Sequence, residues 1–148
     1  MKIPGILLFL FPMLAMAGEG LVSDKALALG GIAIGDTPAQ VVARLGEPKR
    51  KVPAQDFLGL HYEYPGLRVS FNEGVVAGLH ADKAGACTPQ GLCPGDRLDR
   101  MRALYGAPIV ADRETGRFHE YYGADAACWL QIPAKGKRVA SITVACQL

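Results

Sequence analysis

The chain has 148 residues, 16 Lys and Arg against 14 Asp and Glu, and a hydrophobic share of 50%. That length fits one small domain and excludes a large multi-domain enzyme, and the apolar share excludes a disordered chain. A net charge of +2 falls short of the strongly basic balance expected of a nucleic-acid binder.

The N-terminus reads as an export segment. Lys2 supplies a positive start, Ile6 to Leu14 form a short apolar run, and Ala15-Met16-Ala17 give the small-x-small pattern of a cleavage site. The run is too short to span a bilayer, and Pro12 interrupts it as a core strand or helix. Residues 1–17 are therefore expected to be a signal peptide, 18–84 a first αβ unit with an N-terminal segment, and 85–148 a second unit carrying the cysteines. No later stretch approaches membrane-spanning length, so a soluble periplasmic or secreted protein without an integral membrane span is expected.

Leu27 to Ile34 lead into the first predicted helix. There Thr37 suits the cap, Pro38 the first helical position, and Gln40 completes a capping box. Gly46 stops the helix, with Pro48 two residues beyond. Leu60, Tyr62 and Tyr64 then share one strand face, and Leu67, Val69 and Phe71 share the next. Asn72-Glu73-Gly74 reads as a three-residue turn pairing Phe71 with Val75, Val69 with Ala77 and Leu67 with Leu79. After the turn-rich loop between Cys87 and Cys93, Asp96 is expected to cap a second helix over Arg97 to Leu104 or Tyr105, ended by Gly106. Beyond it, pairing Leu130 with Val144 and Ile132 with Ile142 sets Cys128 opposite Cys146. The same register puts Trp129 and Gln131 on the other face, with Thr143 and Ala145.

The second set of elements echoes the first. An offset of 60 aligns Gly35-Asp36 with Gly95-Asp96, Val41 with Met101, Leu45 with Tyr105, Gly46 with Gly106 and Pro48 with Pro108. An offset of 63 aligns Val76-Ala77-Gly78-Leu79 with Val139-Ala140-Ser141-Ile142. The expected fold class is α+β, as two tandem helix-plus-antiparallel-sheet repeats, neither helix being long enough to stand without a sheet. Four Cys in an exported chain point to disulfides, Cys87 with Cys93 in a local loop and Cys128 with Cys146 across paired strands. Zinc is disfavoured because no C-x2-C knuckle is present.

A helix ending in L-G-x-P, then an aromatic strand and an L-x-V-x-F hairpin with a Gly turn, resembles the SmpA/OmlA (BamE-like) family of small outer-membrane lipoproteins. The residues carrying this are Gly35, Asp36, Val41, Leu45-Gly46-Glu47-Pro48, Tyr62-Glu63-Tyr64, Leu67, Val69, Phe71 and Gly74. In tandem, the units also resemble the secreted β-lactamase inhibitory protein (BLIP-like). The resemblance implies binding roles, outer-membrane scaffolding in one case and inhibition of a secreted enzyme in the other. The lipidation Cys of the lipoproteins has no counterpart, since every Cys here lies at Cys87 or beyond.

No constellation of catalytic residues emerges. Ser23, Ser70 and Ser141 lack an elbow motif, paired Cys leave no thiolate, and the Gly30-Gly31 segment lacks the Lys and spacing of a P-loop. His61, His80 and His119 do not converge by spacing, Asp99 and Asp112 read as solvated surface, and Glu63 and Glu120 as structural or surface residues. The basic clusters Lys49-Arg50-Lys51 and Lys135, Lys137 and Arg138 read as solvated loops. The chain is therefore expected to be no enzyme and to hold no metal and no cofactor. The aromatic residues concentrate on strands, and Trp129, Tyr121, His119 and Gln131 are expected on an open sheet face, which marks a protein-binding surface; the alternatives are that the two repeats pack against each other there or that the register is off by one. The expected function is an exported protein-binding module, an inhibitor or immunity partner of a periplasmic or secreted enzyme. The alternative is an accessory protein of envelope or outer-membrane assembly. In both cases the partner is another envelope or secreted protein, not nucleic acid.

Overall fold

The computed structural model describes residues 19–54 and 58–148; the segment read as a signal peptide, residues 1–17, lies outside them. In chain order the strands are β1 (Leu21–Val22), β2 (Ala28–Leu29), β3 (Ile32–Ala33), β4 (Arg50–Pro53), β5 (Leu60–Tyr64), β6 (Leu67–Asn72), β7 (Val75–Ala81), β8 (Ile109–Arg113), β9 (Gly116–Gly123), β10 (Cys128–Lys135), β11 (Arg138–Val139) and β12 (Ile142–Cys146). Helix α1 (Pro38–Leu45) falls between β3 and β4, and α2 (Leu98–Tyr105) between β7 and β8. The protein is α+β, with a mixed sheet of ten strands, a small β2–β3 hairpin and two helices.

Each helix feeds an antiparallel meander, β4-β5-β6-β7 after α1 and β8-β9-β10-β12 after α2. The meanders join through their last strands, β7 against β12, and β1 adds parallel to β9. Both helices press on one face. Val41 of α1 and Met101 of α2 are fully buried in a single core with Val69, Leu79, Leu130, Ile132, Ile142 and Val144. Leu29 and Ile32 of the small hairpin close the same core.

Local chemistry sets the helix ends. Around α1 the capping box forms as expected: Gln40 N donates to Thr37 Oγ1 at 3.2 Å and Thr37 N donates to Gln40 Oε1 at 2.8 Å. For α2 the expectation is corrected. Arg97 occupies the cap position without a side-chain bond, and Asp96 sits one residue too early to reach the first-turn amides. Its carboxylate instead accepts from Cys93 N at 2.8 Å, fastening the disulfide loop to the helix start.

The first hairpin is tighter than expected. Asn72 pairs with Val75 across a two-residue turn, with Glu73 at φ 50° and Gly74 at φ 80°. Both values suit the primed turn whose twist matches the strands. A bulge at Ser70/Phe71 then shifts the register, so Val69 faces Leu79 and Leu67 faces Ala81, not Ala77 and Leu79. The tighter turn and the bulge contribute one residue each, so beyond the bulge the shift is two and Leu79 stays on the core side, whereas next to the turn a shift of one sends Val76 inward and leaves Val75 exposed. The second hairpin follows the expected register, with Cys128 opposite Cys146, Trp129 opposite Ala145, Leu130 opposite Val144 and Gln131 opposite Thr143. Both disulfides, Cys87–Cys93 and Cys128–Cys146, are formed.

Candidate functional site: the open face of the sheet

Because side chains alternate along a strand, the face away from the helices carries the odd positions of β10 and the even positions of β9. Register decides which aromatics lie there. Trp129 pairs with Tyr122, Gln131 with Glu120, and Pro133 with Phe118. Tyr121 pairs with Leu130 and His119 with Ile132, so both point to the helix side. The expected surface set is therefore corrected: Trp129 and Gln131 lie on the open face, whereas Tyr121 is fully buried. The Tyr121 hydroxyl donates to Gly106 O at 2.7 Å, and its ring lies 5.4 Å from Tyr105. Burial pushes its pKa up to about 12. His119 Nδ1 sits 3.2 Å from Ile132 O, against the backbone of β10.

The open face near Trp129 is organised around Glu120. This carboxylate is 0% exposed. It accepts two bonds from the Arg113 fork, at 2.9 and 2.7 Å, and further bonds from the Tyr122 hydroxyl and from Gln131 Nε2 at 3.3 Å. Burial alone would favour the protonated acid, but the bonds from Arg113, Tyr122 and Gln131 outweigh it and hold the pKa below the usual carboxylate range. The cluster props up a wall of rings: Trp129 is half-buried, 5.8 Å from the Tyr122 ring. Its indole Nε1 is covered and meets no acceptor among the described residues.

The other half of the face is polar. Glu63 forms ion pairs with Arg50 and Arg68, from the strands on either side of β5. His61 Nδ1 lies 2.7 Å from Ser70 Oγ, and His80 Nδ1 lies 2.8 Å from Thr143 Oγ1. His61, Ser70, His80 and Thr143, with Arg68, rim a shallow hollow of about 360 Å³ at the joint between the meanders. Among the described residues, no carboxylate bonds to His61, so the His61–Ser70 pair lacks the orienting group of a nucleophilic triad. No group of three or more His, Cys, Asp or Glu that could hold a metal occurs among the described residues.

Acid should weaken this face in two stages. Burial, aided by Arg68 and opposed by Asp82, holds the His80 pKa below its ordinary value. The fold therefore prefers the neutral imidazole, and stability begins to fall as pH drops below about 6.5. Ionised Glu120 contributes stability that is present above about pH 4.3 and lost as pH falls through its lower folded value. Urea midpoints measured from pH 7.5 to 3 should show both stages, with His80→Asn removing the upper one and Glu120→Gln the lower.

Sequence reasoning did not single out Glu120, Arg113 or Tyr122 for this surface. The usable signal was the Cys128–Cys146 pairing, which fixes β10 parity but stops short of β9.

No protein-family model and no curated protein matches the sequence. Among solved structures, the chain is similar to an extracellular protein containing an SCP domain from Bacillus anthracis, at TM-score 0.56 and 12% identity, over 77% of this chain and 44% of that one. It is similar to the DUF4309 family protein YjgB of Bacillus subtilis, at TM-score 0.51 and 14% identity, over 86% and 88% of the two chains. A cysteine-rich secretory protein of Staphylococcus aureus aligns at TM-score 0.55 and 10% identity, over 87% and 49%. The chain thus spans less than half the length of the first and third of these proteins. Identities this low establish likeness of fold alone. They also correct the resemblance drawn from sequence: the fold likeness is to these proteins rather than to the SmpA/OmlA lipoproteins or the β-lactamase inhibitory protein. The motifs that suggested those families specify a helix stop and a hairpin turn, which any helix-plus-meander fold can share.

Proposed function

We propose that the protein is exported and non-catalytic, and that it binds another envelope or secreted protein through the open face of its sheet. The observation that carries this reading is the pairing of Trp129 with Tyr122 on a sheet face that neither helix covers. Aromatic anchors of this kind, surrounded by polar groups, are the usual centres of binding energy in protein interfaces. Two disulfides suit an oxidising compartment. Among the described residues no helix is long and apolar enough to cross a membrane.

We further infer that the two halves derive from one unit. Gly35 N donates to Val76 O and Gly95 N to Val139 O, both at 2.8 Å. Val76 N returns a bond to Asp36 O, and Val139 N to Asp96 O. Tyr64 and Tyr121 donate to the helix-stop carbonyls of Gly46 and Gly106 at 2.9 and 2.7 Å. Asp36 accepts from Ala33 N just as Asp96 accepts from Cys93 N.

The test is affinity capture from an envelope extract by the mature chain, by Trp129→Ala and by Gln131→Lys, with circular dichroism confirming that the variants fold. A stoichiometric partner held by the parent and bound at least about thirtyfold more weakly by folded Trp129→Ala supports the reading. Equal retention by both folded variants rejects it. An inhibitory role would appear as loss of the captured enzyme's activity. Capture of assembly proteins would favour the accessory role.

A further inference from the structure

Resting on that reading of the open face, we infer that the hollow at its centre is a binding site for a carboxylate carried on a short apolar group. Its polar side is assembled from three adjacent strands of the first meander and the last strand of the second: His61 on β5, Arg68 and Ser70 on β6, His80 on β7 and Thr143 on β12. The concavity exists because β7 places Gly78 at its floor. A Cβ there would meet Ser70 Cβ at 3.6 Å, Val144 O at 3.7 Å and Leu58 Cδ1 at 4.0 Å, ordinary contacts, so an added methyl would fit and take up part of the hollow. A strand glycine that nothing crowds out marks a place where another group can approach the backbone.

The side chains around the hollow are pre-oriented. Ser70, only 6% exposed, tethers His61 through Nδ1, and Thr143 tethers His80 through Nδ1. Each imidazole thereby keeps Nε2 for a ligand. Arg68 supplies the positive charge. Its contact with Glu63 is loose at 3.4 Å, and Glu63 is also held by Arg50, so most of the Arg68 fork has donors to offer. Asp82 lines the adjoining hollow, which Arg68 and His80 also border, and does not line this one. The opposite wall is apolar, formed by Leu58, Ala145 and Leu148. A guanidinium with two imidazoles on one side and aliphatic groups on the other selects an anion with a short apolar tail, and a planar fork favours a carboxylate. The volume of about 360 Å³ is enough for a carboxylate with a tail of several carbons. Such a group can come from a free short-chain acid or from the C-terminus of a polypeptide partner, and the experiment separates the two.

The experiment follows the imidazole resonances of His61, His80 and His119 by NMR while the oxidised protein is titrated with hexanoate, hexan-1-ol, a hexapeptide ending in leucine, and the same peptide as its amide. Saturable shifts at His61 and His80 but not His119, given by hexanoate and absent with the alcohol, support the site. A response to the peptide acid but not its amide assigns the ligand to a chain terminus; a response to hexanoate alone assigns it to a free acid. Arg68→Gln should weaken binding about tenfold or more, and Gly78→Val should abolish it with both disulfides and the circular dichroism spectrum retained. The proposal is overturned if neither acid gives saturable shifts, if His119 responds equally, or if Arg68→Gln binds as the parent does. None of these readouts depends on Trp129, so the site can fail while the protein-binding surface stands, and the reverse.

Discussion

Tyr121→Ala is expected to lower the unfolding free energy by about 3–5 kcal/mol, the range for removing a large buried aromatic. That is a large part of the 5–15 kcal/mol typical of a small domain, so the variant should be partly unfolded at 37 °C. The reason is position. Tyr121 is fully buried beneath α2, packed on Tyr105 and bonded to the carbonyl that ends the helix. Tyr121→Phe keeps the ring and loses only the hydroxyl, so it should cost about 1 kcal/mol. Urea unfolding monitored by fluorescence and by circular dichroism separates the two. If Tyr121→Ala unfolds at the parent's urea midpoint, the ring does not sit in the core, and the register of β9 on β10 is wrong by one residue.

Removing the Cys128–Cys146 bridge is the second large effect. The bond closes a separation of 18 residues, so a Cys128→Ala/Cys146→Ala variant should lose about 3 kcal/mol by the loop-closure relation. The Cys87–Cys93 bridge spans a separation of 6, and its removal should cost about 2 kcal/mol. The difference should be larger in the native state than this entropy suggests. Cys128 and Cys146 clamp the ends of β10 and β12, where Gln147 N still donates to Ala127 O at 2.8 Å. Hydrogen exchange should therefore show faster opening at residues 143–147 in the first variant and changes confined to residues 86–96 in the second. A reversed order of urea midpoints would contradict the assignment of the longer bridge as the more stabilising one.

Much of the architecture could be read from residue chemistry that acts locally. Thr37, Pro38 and Gln40 specify the start of α1, the glycines at Gly46 and Gly106 stop both helices, and the two cysteines lock β10 against β12. What could not be read depends on neighbours far along the chain. In β9 the run Phe118-His119-Glu120-Tyr121-Tyr122 carries aromatics on both parities, so alternation does not say which face is buried. Only the pairing with β10 decides it, and that pairing sends Tyr121 inward and Tyr122 outward. The burial of Glu120 is hidden for the same reason: its cation comes from Arg113, a strand away. The bulge beside Phe71 is likewise hidden, because Val75, Val76, Ala77 and Leu79 place apolar side chains on both parities and so do not mark where the register slips.

The joint between β7 and β12 has a consequence for how the chain reaches its native state. His80 and Thr143 meet across 63 residues of sequence, whereas the hairpins on either side close within a few residues. Each meander can thus zip from its own turn, but the joint has to wait for two preformed edges to find one another. Until they do, β7 and β12 each expose an unpaired edge of the kind that recruits other chains. The Cys87–Cys93 crosslink lies within the intervening stretch but closes a separation of only 6 residues, too few to ease a closure whose cost grows with the logarithm of length. The meeting of those two edges is therefore the step at which the half-assembled protein is most prone to aggregate.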